Sequence, residues 1–131
     1  MQELDWLLTD LAETVAGVRS AVVLSPDGLT IGSSQGLAWA DGEHLAALAA
    51  GVSSLARGTG AKFGCGELQQ TIIEMDAGLL FLTPAARDTC LALVADSAAD
   101  AGQIAYEMSL LVKRVGQHMI ANPRFLVPHP V

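Results

Sequence analysis

The segment Leu45-Ala46-Ala47-Leu48-Ala49-Ala50-Gly51-Val52-Ser53-Ser54-Leu55-Ala56 contains no charged residue, and nothing else in the chain restricts the fold as much. Its spacing is helical. Leu45, Leu48, Val52 and Leu55 make one row, while Ala47, Ala50, Gly51 and Ser54 make another at i, i+3, i+4 and i+7. A helix that is nonpolar all round is normally covered all round. The leucine row is expected to cover a sheet. The small-residue row then needs a second cover, which a short chain does not obviously supply. Gly51 points the same way: glycine inside a helix costs about 0.8–1.0 kcal/mol relative to alanine, and close approach of another backbone would offset that cost. Alanine-rich surface helices also occur without partners, since alanine is the best helix former. Both readings stand on the sequence alone.

With 131 residues the chain is sized for one domain. Charged residues are only 16% of it, against about 25% in an average domain, so part of the surface must lack charge and suits a partner. The net charge of −7 disfavours phosphate backbones and anionic membranes as partners. Cys65 and Cys90 form no C-x-x-C pair and no disulfide framework. Cys90 sits in an apolar run and reads as a core residue, whereas Cys65 lies between glycines. Glu3 and Asp5 stand where a signal peptide would be basic, and no uncharged stretch approaches the roughly 18–20 apolar residues of a membrane span. A cytoplasmic protein with no membrane insertion is the expectation.

The remaining elements follow from periodicity and turn chemistry. Residues 3–16 read as an amphipathic helix through Leu4, Leu7, Leu8, Leu11, Ala12 and Val15. Residues 19–24 and 29–32 read as a hairpin around Ser25-Pro26-Asp27-Gly28, where proline presets φ and glycine accepts φ > 0. The middle helix is expected over residues 41–57, capped by Asp41 and ended by Gly58-Thr59-Gly60. Residues 67–75, 79–83 and 89–95 read as three strands. The last two are apolar without alternation, as in strands buried on both faces. Ser97 is expected to cap a final helix over residues 98–120. Beyond Asn122, Pro123, Pro128 and Pro130 make residues 122–131 a flexible tail. The pattern predicts an α+β fold: helices on a single antiparallel sheet of about five strands, in one domain over residues 1–121.

Thr71-Ile72-Ile73 is strongly β-prone, and neither Lys nor Pro interrupts residues 68–75. At a sheet edge, its backbone would invite pairing with a twin strand. In a central position it would have internal neighbours instead.

Sequence motifs for chemistry are weak. Gly32-Ser33-Ser34-Gln35-Gly36 matches G-x-S-x-G, but no helix is expected to follow at once, as a nucleophile elbow requires. Gly58-Thr59-Gly60-Ala61-Lys62 lacks the phosphate-loop spacing and trails a helix instead of opening one. His44, His118 and His129 show no metal spacing. No catalytic residue, metal or cofactor is expected. Trp39, in the loop before the middle helix, either staples the helix start or anchors a contact.

The run Ala21-Val22-Val23-Leu24-Ser25-Pro26-Asp27-Gly28-Leu29, the preceding Val15-Ala16-Gly17-Val18, the segment Gln70-Thr71-Ile72-Ile73-Glu74-Met75, and Ala105-Tyr106-Glu107-Met108 with Val112-Lys113-Arg114-Val115 resemble, in order and spacing, the actinobacterial branch of the roadblock/dynein light-chain domains. The likeness spans about residues 3 to 120. It implies a roadblock/profilin-like α/β/α sandwich, with the middle helix on one face of the sheet and the terminal helices on the other. It implies a homodimer joined through the third strands, with the middle helices side by side. Gln70, Thr71, Ile72, Ile73, Glu74 and Met75, with Ala47, Ala50, Gly51 and Ser54, would then lie at the dimer interface. Glu43, His44, Ala47 and Arg57 would contact a partner. Many members of that family regulate or anchor small Ras-like GTPases, and actinobacterial members are typically encoded beside such a GTPase and a sensor-kinase-like protein. No arginine here matches a catalytic finger, so activation, exchange and passive anchoring all remain open.

A small-ligand sensor module of the PAS/GAF type is the competing reading. It would require a polar-lined pocket between sheet and helix, whereas these strands are rich in Leu, Val and Ala.

Overall fold

A computed structural model describes residues 2–121. The elements run α1 (Gln2–Thr14), β1 (Val18–Leu24), β2 (Thr30–Ser33), α2 (Trp39–Phe63), β3 (Thr71–Met75), β4 (Gly78–Pro84), a tight turn (Ala86–Asp88), β5 (Cys90–Ala95) and α3 (Ala101–Ala121). The tail expected over residues 122–131 lies outside the described residues.

The five strands form one antiparallel sheet in the order β2-β1-β5-β4-β3. Because side chains alternate across a strand, the central strands feed two cores. Val23, Phe81, Leu91 and Leu93 point to the side where Leu4, Leu8, Leu11, Ile104, Met108 and Val115 of α1 and α3 pack. Val22, Leu24, Leu82, Cys90 and Ala92 point to the other side, toward Ala46 and Ala49 of α2. This is the three-layer α+β arrangement expected from the apolar runs in β4 and β5: strands buried on both faces need helices on both.

Three local expectations are corrected. First, α2 starts at Trp39, after an Ala38 that makes no side-chain cap, and Asp41 sits in its first turn instead of capping it. Second, α2 runs through Gly58, Thr59 and Gly60 and stops only at Gly64, which adopts φ 67°. Glycine takes that left-handed backbone without strain, and the N–H of Cys65 closes the end by donating to the Gly60 carbonyl at 2.8 Å. Third, α3 is capped by Asp100, not Ser97: its carboxylate accepts the Gln103 N–H at 3.1 Å.

The two edges of the sheet are unlike. At β2, the Ser33 N–H donates to Asp5 Oδ1 at 2.9 Å. Just beyond the strand, the Gln35 N–H donates to Thr9 Oγ1 at 2.9 Å. Both acceptors belong to α1. At β3, among the described residues, no side chain reaches the outward backbone groups.

Candidate interaction surface

Helix α2 meets the sheet through its smallest residues. Gly42, Ala46, Ala49 and Ser53 are its buried positions, at i, i+4, i+7 and i+11. Small side chains let the helix axis ride close to the strands. Ser53 Oγ lies 3.7 Å from Cys90 Sγ on β5. Thr30 Oγ1 on β2 donates to the Gly42 carbonyl at 3.2 Å. The expectation that Leu45, Leu48, Val52 and Leu55 cover the sheet is therefore corrected. Leu45 and Val52 flank the contact as half-buried residues, while Leu48 is 55% exposed and Leu55 76% exposed.

Leu48 and Leu55 join Ala47, Gly51 and Ser54, which are also exposed. These five positions are spaced i, i+1, i+4, i+7 and i+8, so they form one apolar stripe turned away from the sheet. A Cβ built on Gly51 meets nothing within 4 Å, so this glycine is not required by packing inside the chain. Ala50 differs from its expected row-mates. It is half-buried, and a Cβ added at Gly28 in the β1–β2 turn would lie 3.2 Å from its methyl group. Further along α2, Phe63 is 73% exposed, and Trp39 at the other end is 80% exposed. Trp39 thus does not staple the helix start.

The expected strand contact is an edge, as the sheet order places β3 outermost. Thr71 pairs with Leu82, Ile73 with Leu80 and Met75 with Gly78. Directly opposed residues share a face, so Thr71, Ile73 and Met75 lie on the α2 side, and Ile72 and Glu74 on the α1/α3 side. Ile72, Glu74 and Met75 are exposed, and Gln70 is exposed just before the strand. Ile73, Leu80 and Val94 are half-buried. They lie toward the β3 side of the face, whereas α2 packs chiefly on β1, β5 and β2. An incompletely covered apolar strip thus runs from the outer stripe of α2 toward the open edge of β3.

Of the residues expected at a partner contact, His44 and Ala47 lie on the exposed side of α2 and Glu43 is half-buried. Arg57 is exposed, with its charge near enough to act on Cys90. Leu48 and Leu55, expected on the sheet, belong to this apolar surface instead, and Phe63, Leu80 and Val94 join it without having been expected at a contact. For the leucines, no sequence signal decides: α2 has two rows of Gly, Ala, Ala and Ser, of which Gly42, Ala46, Ala49 and Ser53 meet the sheet, whereas Ala47, Gly51 and Ser54 are exposed beside the leucines.

The catalytic motif is excluded by geometry. Ser34 is 2% exposed, its hydroxyl accepts the Ala21 N–H at 3.0 Å, and its own N–H donates to the Ala21 carbonyl at 2.9 Å. It extends the β1–β2 pairing. Among the described residues no group of three His, Cys, Asp or Glu side chains could hold a metal ion, and no helix is long and apolar enough to cross a membrane. A cavity of about 130 Å³ lies between α1 and α3, lined by Leu7, Leu11, Leu110 and Leu111 with Asp10 and Arg114 among the polar residues. It is smaller than the roughly 300–1,000 Å³ of ligand pockets and lies between two helices.

Comparison with known proteins agrees with this architecture. A Roadblock/LC7 domain from Streptomyces avermitilis is 43% identical, covers 88% of this chain and 97% of its own, and superposes with a TM-score of 0.84. MglB of Myxococcus xanthus shares only 16% identity yet has a TM-score of 0.83 over 93% of this chain and 98% of its own, a likeness of fold. Two uncharacterized proteins of Methanocaldococcus jannaschii are each 30% identical over 112 residues, 86% of this chain and 96% of theirs. The Roadblock/LC7 domain family itself matches residues 4–95, and with strand order, helix layers and sequence in agreement, this chain belongs to that family.

Proposed function

We propose that this chain is a non-catalytic scaffold that pairs with a second copy of itself and binds a small Ras-like GTPase in a bacterial signalling complex. The observation that carries the pairing is the conjunction of an open β3 edge with an apolar stripe on α2, the opposite sheet edge being occupied by α1. Antiparallel joining of two β3 strands would satisfy their outward backbone groups. It would bring Gln70, Thr71, Ile72, Ile73, Glu74 and Met75 to the seam. Ala47, Gly51 and Ser54 would face the second protomer across it, with Ala50 at the margin.

The GTPase half of the proposal rests on family membership and on the charge-poor surface. Glu43, His44, Ala47 and Arg57 are the proposed contacts, spread along α2. The absence of a matching arginine finger favours action on the shape of the partner's switch loops over donation of a catalytic group. A sensor-kinase-like protein is a further proposed partner, and the proposed location is the cytoplasm. No particular observation favours the small-ligand sensor reading.

Sedimentation and co-purification test the proposal. The purified chain should sediment as a dimer at tens of micromolar and retain a co-expressed small Ras-like GTPase from the same source. A monomer at that concentration removes the pairing, and failure to retain the GTPase in either nucleotide state removes the partner.

A further inference from the structure

A sheet that associates through one edge still has a second edge, and two open edges on one chain lead to open-ended assembly. In this fold β2 is that second edge. It is short, spanning Thr30–Ser33, and carries neither Lys nor Pro, the residues that commonly guard an edge. What stands against it is α1. The Asp5 carboxylate takes the outward N–H of Ser33 at 2.9 Å, and the Thr9 hydroxyl takes the next outward N–H, that of Gln35, at 2.9 Å. The intervening Ser34 N–H points inward to the Ala21 carbonyl, so the alternation of a strand edge is kept while its outward donors at positions 33 and 35 are occupied.

The approach of α1 is close. A Cβ built on Gly32 would lie 2.9 Å from Leu4 Cγ and 3.1 Å from Asp5 Oδ1. Only glycine at this position lets the helix come near enough for the Asp5 carboxylate to reach the strand. Leu4 and Leu8 are fully buried beneath the same turns. The helix is held in place by its apolar face, and its polar residues at positions 5 and 9, one turn apart, fall along the strand.

We propose that Asp5 and Thr9 of α1 guard the β2 edge against pairing with the β2 strand of a second copy of this chain, so that the sheet can be extended from β3 alone. The guard works by hydrogen-bond occupancy, not by charge. An acceptor at position 5 suffices, and removal of both acceptors leaves outward N–H groups that a twin strand can satisfy. The guard does not depend on β3 pairing. If β3 pairs, opening β2 gives growing chains of dimers; if it does not, opening β2 gives a single new dimer.

The test is sedimentation velocity of the full chain over a concentration series, comparing wild type with Asp5→Leu/Thr9→Val. The double variant should show a weight-average mass at least about twice that of wild type at the highest concentration, because the freed edge now pairs. Continued growth with concentration marks a chain that also pairs through β3, and a plateau at twice the wild-type mass marks one that does not. Two controls separate edge pairing from general misfolding. Asp5→Asn, which keeps the acceptor oxygen, should sediment as wild type. Adding Ser33→Pro to the double variant deletes an outward donor without touching the β1 ladder, and should return the mass to the wild-type value. Superimposable masses for wild type and the double variant overturn the proposal, as does an excess mass that Ser33→Pro leaves in place.

Discussion

Ile73 on β3 lies directly opposite Leu80 on β4, on the face of the sheet that α2 occupies, and yet both side chains are only half-buried. The reason is where α2 rests, chiefly over β1, β5 and β2. A lysine at Ile73 would place a charge in the strip that the proposed second protomer covers, while in the isolated chain it could reach water from the edge. Ile73→Lys is expected to raise the dimer dissociation constant at least tenfold, about 1.4 kcal/mol, with the far-UV circular dichroism preserved. Sedimentation equilibrium measures it. A dissociation constant equal to that of wild type would place the seam elsewhere.

Gly51 gives a second test, in which fold and association move in opposite directions. A side chain there enters open space in the isolated chain, and replacing a mid-helix glycine gains roughly 0.5–1 kcal/mol of helix stability. At a helix–helix contact the same side chain would force the two backbones apart. Gly51→Leu is therefore expected to stabilise the monomer and weaken self-association by tenfold or more. Urea unfolding at low concentration, together with sedimentation, reads the two effects separately. If folding weakened along with association, the open space around Gly51 would not exist in solution.

The general plan was legible because two periodicities changed in the right places. Alternation was lost in Leu79-Leu80-Phe81-Leu82 and Leu91-Ala92-Leu93-Val94, which demanded helices on both faces, and turn chemistry located the hairpin. The extent and orientation of α2 were not legible. Gly58 and Gly60 look like a helix end, since each glycine costs about 1 kcal/mol in propensity. Tertiary contact overrides it: a Cβ on Gly60 would lie 2.8 Å from the Gly66 carbonyl oxygen, so the last turn needs a glycine where the following loop crosses it. On α2 the small-residue row Ala47, Gly51 and Ser54 faces outward as expected, but Leu48 and Leu55 stand outside with it, because hydrophobicity is not the guide to burial here. Distance to the sheet decided instead, with small residues inward and two leucines outward. The closing of β2 depends on Asp5 meeting Ser33 across 28 positions, which no local pattern encodes.

Ser34 separates structural from catalytic use of the same motif. Its buried hydroxyl satisfies the Ala21 N–H, and Ser34→Ala leaves that donor without this partner. The loss should be about 1–3 kcal/mol of unfolding free energy, measurable by urea denaturation. Esterase activity should be absent from both proteins. Serine-dependent hydrolysis in wild type would contradict the burial of this residue.

The β4–β5 connection stores backbone strain that substitution can release. Arg87 and Asp88 both have positive φ, 60° and 61°, and the Thr89 N–H closes the turn on the Ala86 carbonyl at 3.2 Å. Two successive left-handed residues make a type I′ turn, which favours Asn-Gly. Asp88→Gly should stabilise the fold by about 1 kcal/mol, raising the melting temperature by roughly 3–6 °C. Calorimetry decides. A lower melting temperature would mean that the Asp88 side chain makes a contact worth more than the strain.

Cys90 links α2 to the sheet and gives the fold a pH dependence of known sign. Burial raises its thiol pKa above the ordinary 9.0, and the Ser53 hydrogen bond, the Thr83 backbone and the Arg57 charge oppose this without cancelling it. In the unfolded chain the thiol ionises at its ordinary value. In the folded chain it stays neutral to higher pH, so between the two values the folded state binds more protons and stability falls as pH rises. Below pH 9.0 this contribution is complete and constant; it declines above that value and levels off only once the folded thiol ionises. Cys90→Ala, in a Cys65→Ser background, should lose about 1 kcal/mol at neutral pH from the small cavity while showing a shallower fall in urea midpoint above pH 9.0 than its parent. Thiol labelling checks the same burial in the unsubstituted chain: the exposed Cys65 should react at once, and Cys90 only as the protein opens. Equal, rapid labelling of both cysteines would mean that α2 does not stay seated on β5.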